Sequence, residues 1–414
     1  MVVPCRSRPS PALVGAAVAA VVGLGSFAGA EARATPTKPF VGVLESAGGS
    51  ATLARLDPLS LRPVSRRVRI AEYHDNWSLS PDASHVALGR GGQGIGIEIV
   101  DLRTLELVRH VRTGIAAEAL GWLAPRRLVA GLQRGGTVVV DPSTGRIVRR
   151  FAGFSFPDVS VQTRQGLVML LPQLRKSTPG LPLRRVSGAA RLALVDVRGR
   201  LRSVTLQRIR LGVRTKHGLE YADRAGLAVD PTRARAYVVA ADAPVAEVDL
   251  RTMRVSYHRL GPLFTQPAGA LLARERTALW LGRGRLLVTG RDFISTRTRK
   301  EALAPAGAGV VDADGWTWRT LDRQSTGAVL APGEVLVYGP GSYPAPGAGL
   351  RGYTLRGRRV LGLFDRKRVV DVQVAGGRAY VRTPVAVRVV ELKSGTVIHD
   401  IAPPVDLASV IQPH

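Results

Sequence analysis

Between Gly226 and Leu260 the chain reads GLAVDPTRARAYVVAADAPVAEVDLRTMRVSYHRL, and the same rhythm of short apolar runs and turns returns along the sequence. The run from Gly226 ends in Asp230-Pro231, which starts a turn. Ala236 to Ala240 is rich in strand formers, Val245 to Leu250 closes in Val-Asp-Leu, and Arg251-Thr252 turns the chain into Val255 to Leu260. Four closely spaced strands of this kind pair as one antiparallel sheet.

Other copies change the residues and keep the form. WSLSPDASHVALG followed by IEIVDLRTLELVRHV runs from Trp77 to Val111, and LGWLAPRRLVAGLQRGGTVVVDPSTGRIVRRF runs from Leu120 to Phe151. ALWLGRGRLLVTG from Ala278, with GVVDADGWTWRTL from Gly309, is a further copy. Eight hairpins between a third and a fourth strand can be counted, and an acidic residue closes the third strand in seven: Asp57, Asp101, Asp141, Asp196, Asp249, Asp312 and Glu391. Thr354 stands at that place in the remaining one. Repeats of about forty residues with four strands each predict an all-β chain folded as a single β-propeller of four-stranded antiparallel blades. Eight hairpins predict eight blades, with seven as the alternative.

The first copy lacks its innermost strand, since FVGVLES from Phe40 supplies a second strand and ATLARLD and VSRRVRI a third and fourth. VDLASVIQ, Val405 to Gln412, offers the missing one. Its pairing with the first blade would close the ring and hide both open edges.

Carboxylates at the hairpin turns suggest catalysis less than turn chemistry, because an Asp before Pro-Ser-Thr-Gly or Leu-Arg-Thr accepts backbone N–H bonds. Trp77, Trp122 and Trp280 recur at matching places and read as packing between blades. DPTRARAYVVAADAPVAEVDLRT resembles the YVTN group of bacterial extracytoplasmic β-propellers, and WSLSPDASHVALG resembles the WD40-like group. The resemblance covers nearly all of residues 40–412 and implies the fold. Irregular spacing and a single asparagine, Asn76, depart from the YVTN pattern.

Residues 1–34 differ from the rest. Arg6 and Arg8 precede the uncharged stretch ALVGAAVAAVVGLGSFAGA, and small-residue patterns follow at Ala28–Ala30 and Ala32–Ala34. This reads as a signal peptide, leaving residues 35–414 as the propeller, secreted or extracytoplasmic, with no stable membrane span after cleavage. The lone cysteine, Cys5, falls inside the presumed signal, so the mature chain has no disulfide, thiol nucleophile or thiolate metal site.

A formal charge of +28, nearly all from arginine, attracts anionic polymers and is screened by salt. Codon bias alone could produce it. An exported protein rarely meets nucleic acid as a target, so no nucleic-acid partner is expected. The long excursions all join second to third strands or one blade to the next, and therefore leave one face: PQLRKSTPGLPLRRVSG, GVRTKHGLEYADRA, DFISTRTRKEALAPAGA and GPGSYPAPGAGL. Their basic residues Arg175, Lys176, Arg184, Arg185, Lys216, His217, Arg297, Arg299 and Lys300 are the candidate ligand-binding set, a cationic rim for phosphate, carboxylate or sulfate.

No HxH or HExxH spacing supports a metal site, no GxSxG precedes a helix, and no cofactor motif is repeated. The mixed group Lys216, His217, Glu220, Tyr221 and Asp223 reads as solvated polar residues. The expectation is a monomeric, non-enzymatic binding scaffold at the cell envelope, without cofactor or metal, whose partner is a protein or an anionic envelope polymer. The alternative is an extracytoplasmic propeller enzyme, a lactonase-like hydrolase or an oxidoreductase, with a metal or cofactor at the central channel.

Overall fold

Strands two and three of each repeat are almost wholly apolar, whereas the fourth is charged, and this contrast sets the architecture. The second strand Gly166–Leu171 (GLVMLL) is buried at every position, while the fourth strand Arg146–Phe151 (RIVRRF) is mostly exposed. A sheet covered on both faces shows continuous apolar runs, not alternation. Each blade is therefore sandwiched between two neighbours, with its outermost strand facing water.

The computed structural model describes residues 39–45, 50–71, 73–90, 96–132, 136–151, 159–171, 174–175, 184–185, 188–211, 213–214, 220–221, 223–260, 270–295, 302–339, 347–402 and 406–411. The presumed signal lies outside the described residues. Eight four-stranded antiparallel sheets form the ring. Seven are continuous: blade 2 spans 73–112, blade 3 117–151, blade 4 159–211, blade 5 226–258, blade 6 270–322, blade 7 327–363 and blade 8 371–401. Strands in each are called a to d from the channel outward.

Blade 1 takes strands b, c and d from Phe40–Glu45, Ser50–Leu56 and Val68–Ala71, and its strand a from Asp406–Ile411. Val41 pairs with Ile411 and Val43 with Ser409, so the chain's last strand closes the ring as expected. An apolar cluster occupies each junction between neighbouring blades, eight junctions in all. Val43, Leu53 and Ile70 of blade 1 meet Val86 and Leu88 of blade 2, and Leu56 and Val410 of blade 1 meet Tyr380 and Val389 of blade 8. Eight junctions for eight blades leave no open edge, which rules out the seven-bladed alternative.

The turn acids do what their spacing implies. Asp101 Oδ1 accepts from the backbone N–H of Arg103 (2.7 Å) and Thr104 (2.9 Å), and Asp249 from Arg251 and Thr252 in the same way. In six of the eight hairpins the residue four positions after the acid has positive φ: Leu61, Leu105, Gly145, Met253, Trp316 and Gly395. Hairpins at Asp196 and Thr354 are one residue tighter, with Gly199 and Gly357 in that conformation. Trp122 lies in the cluster between blades 2 and 3, and Trp280 stacks on Tyr237 across blades 5 and 6, centroids 5.8 Å apart.

Candidate functional site

Strand direction fixes two edges of the ring. At one edge, called upper here, strands a and c begin and strands b and d end. All four long excursions join strand ends at this edge, two of them carrying short ribbons. Leu174–Arg175 pairs with Arg184–Arg185 in blade 4, with Arg175 opposite Arg184, and Val213–Arg214 pairs with Glu220–Tyr221 between blades 4 and 5. Three of the expected basic residues thus share one two-residue ribbon. Lys176, Lys216, His217, Arg297, Arg299 and Lys300 lie outside the described residues.

Two expectations about these segments change. DFISTRTRKEALAPAGA is not mainly loop, because strand b of blade 6 runs Arg285–Ser295 and strand c Ala302–Asp312, paired from Ile294–Ala302 inward. Asp223 is not solvated. It is 7% exposed and accepts from the backbone N–H of Arg274 (2.9 Å) and from its guanidinium (2.6 Å).

Near the lower ends of strands a in blades 2 to 4, hydrogen bonds link the neighbouring inner strands. Ser78 of blade 2 donates its hydroxyl to Gln162 Oε1 of blade 4 at 2.5 Å and accepts from the backbone N–H of Trp122 at 2.7 Å. Gln162 Nε2 donates to the Trp122 carbonyl at 3.1 Å. The inner strands of three blades are tied there.

A cavity of about 540 Å³ lies at the upper edge between blades 6, 7, 8 and 1. Arg291 enters it from strand b of blade 6, Tyr338 from strand b of blade 7, and Asp371, Gln373 and Arg382 from strands a and b of blade 8. Glu45 and Ser409 of blade 1 complete the polar wall, with Val370 and Ala408 as its apolar part.

Each group is held from behind. Tyr338 reaches the cavity across Gly327 of strand a, where a Cβ would stand 2.7 Å from the ring carbon Cζ, so only glycine leaves room. Its hydroxyl donates to Asp371 Oδ1 at 3.3 Å, and Gln373 Nε2 donates to Asp371 Oδ2 at 3.1 Å. Burial first, and then the charge of Asp371, push the Tyr338 phenol well up, with Arg291 and Arg382 acting the other way. The phenol therefore stays a hydrogen-bond donor, and both guanidiniums lie within its electrostatic reach. Arg382 is the cross-strand partner of Asp371. Glu275 Oε2 accepts from Arg291 Nε at 2.6 Å.

Beneath Arg291 the chain buries an ion pair: Arg276 Nη1 meets Asp292 Oδ1 at 2.7 Å, the residues 6% and 2% exposed. Gly290 makes space for it, since a Cβ there would lie 2.8 Å from Arg276 Cδ. Burial lowers the pKa of Arg276, and Asp292 opposes that shift. Among the described residues no three His, Cys, Asp or Glu side chains come together in a way that could hold a metal ion. Nor is any helix among them long and apolar enough to cross a membrane.

The sequence reading missed this cavity. Its signal is faint but present: a polar residue interrupting an inner apolar strand, as Gln373 does in DVQVA and Tyr338 near the end of EVLVYG.

No protein-family model matches the chain, and no curated protein matches it. Among solved structures, "Dihydro-heme d1 dehydrogenase NirN in complex with DHE" is similar with a TM-score of 0.58 at 14% identity, covering 90% of this chain and 74% of that one. The fold is shared. BamB from Moraxella catarrhalis is 12% identical with a TM-score of 0.42, over 82% of this chain and 92% of its own. The Neurospora crassa Pan2 WD40 domain is 16% identical with a TM-score of 0.39, over 61% and 71%.

Proposed function

We propose that the protein is an exported, non-enzymatic binding scaffold, monomeric at the cell envelope, whose upper edge contacts an anionic envelope polymer or a protein. In this reading residues 1–34 are a cleaved signal and 35–414 the working propeller. The observation that carries it is the convergence, on one edge of the ring, of the basic excursions and a cavity walled by polar side chains from four blades. A propeller that gathers hydrogen-bonding groups from distant segments presents a preorganised surface. The formal charge of +28 adds long-range attraction that salt weakens.

The test is sedimentation of the purified protein with isolated bacterial envelope across a salt series, beside a variant reversing Arg175, Lys176, Arg184, Arg185, Arg297 and Arg299. Binding at moderate salt that the variant loses supports the reading. Equal behaviour of the two proteins overturns the role given to the excursions.

The similarity in fold to a dehydrogenase with bound DHE favours one second reading, an oxidoreductase with a cofactor over the channel. Among the described residues the cavity wall holds no histidine, cysteine or methionine, common axial ligands of a haem iron, so binding is preferred. A visible absorption band in the purified protein would reverse that preference.

A further inference from the structure

We propose that the cavity between blades 6, 7, 8 and 1 is a saccharide subsite that takes an uncharged sugar unit. The envelope glycan as its source rests on the scaffold reading; the cavity's preference for sugar does not.

Charge comes first. Arg291 and Arg382 face Glu45 and Asp371, so the formal charges of the wall cancel. Such a wall is a poor trap for a simple anion, unlike the basic excursions. What remains is a mixture of directed donors and acceptors: two guanidiniums and the second amide N–H of Gln373 donate, and two carboxylates, the Tyr338 phenol oxygen and a hydroxyl accept. A sugar hydroxyl donates and accepts at once, so it can bridge such pairs, and contacts to ionised groups are the stronger kind of hydrogen bond.

Preorganisation comes second. Asp371 already receives Tyr338 and Gln373, which fixes its carboxylate plane, and Glu275 braces Arg291 from the far side. A ligand need not order these groups on arrival, which lowers the entropic cost of binding.

Shape comes third. Val370, 41% exposed, and Ala408 set small apolar surface beside the polar wall, which suits the C–H faces of a pyranose. About 540 Å³ lies within the range of about 300–1,000 Å³ typical of small-molecule sites and holds a mono- or disaccharide.

The probe is a printed array of bacterial and other glycans, applied at about 150 and about 500 mM NaCl, followed by calorimetry with the strongest binder. The expected result is a set of hits sharing an uncharged hexose-type unit, with binding kept at the higher salt. Arg382→Ala and Asp371→Ala should each weaken the calorimetric affinity by about tenfold or more, as loss of a charged hydrogen-bond partner implies. Val370→Trp, at an exposed rim position, should block binding without changing the melting temperature, so the result does not depend on whether the polar variants fold.

No bound glycan, binding unaffected by all three substitutions, or binding confined to acidic glycans and lost at the higher salt would each overturn the subsite. So would displacement of the sugar by free zwitterionic amino acids. Envelope sedimentation with a blank array leaves the scaffold and removes the subsite. Cavity-dependent sugar binding without envelope sedimentation does the reverse.

Discussion

The two sides of the central channel use the same kinds of side chain for opposite ends. Near the lower ends of blades 2 to 4, Ser78, Gln162 and the Trp122 backbone bond to one another. Near the upper ends of blades 6 to 8 and 1, Arg291, Tyr338, Asp371 and Gln373 are tied by hydrogen bonds and also line an open cavity. Inner-strand polar residues thus serve as fasteners where three blades converge and as a recognition surface where they stand apart. What decides the role is whether a polar partner on a neighbouring inner strand lies within hydrogen-bond distance.

That contrast can be broken from either side. The largest effect belongs to the buried pair under the open side: Asp292→Ala strands the Arg276 charge and should cost about 3–5 kcal/mol, read as a shift of the urea midpoint. Next is the fastener. Gln162→Leu keeps the volume, removes the acceptor of Ser78 and the donor to the Trp122 carbonyl, and should cost about 1–3 kcal/mol. Sugar binding in the open cavity should survive it; loss of both would show the two sides to be coupled.

A subtler change comes from acid. Hydrogen bonds from the hydroxyls of Ser80 and Ser84 hold the Asp82 carboxyl down, to about 2. A depressed folded pKa gives stability that is present above the unfolded carboxylate value near 4 and lost as pH falls toward the folded value. Melting temperatures of the wild type and Asp82→Ala should therefore differ at neutral pH and converge near pH 2. A constant gap would refute the linkage. The smallest effect is a gain: Met253 sits at positive φ, so Met253→Gly should raise stability by about 0.5–1 kcal/mol, a rise in melting temperature of a degree or two.

Most of the fold was legible because its determinants are local. The acid that ends strand c and the positive-φ position four residues later lie within one turn, and they recur in six hairpins. The closing strand was legible too, since a spare apolar run at the end of the sequence answers a strand missing from the start. The cavity was not, because Glu45, Arg291, Tyr338 and Asp371 meet only once eight blades have closed. The extended blade 6 was misread for a different reason: Asp292 and Pro305 look like loop residues, yet they occupy strands of 11 residues whose outer parts alternate between buried and half-buried positions.

The pairing of Val41 with Ile411 also has a meaning in time. Blade 1 lacks its inner strand until residues 406–411 have been made, so the core beside it cannot finish before then. Closing that blade waits on the 406–411 strand, and any copy cut short before Asp406 would present a raw sheet edge to its neighbours.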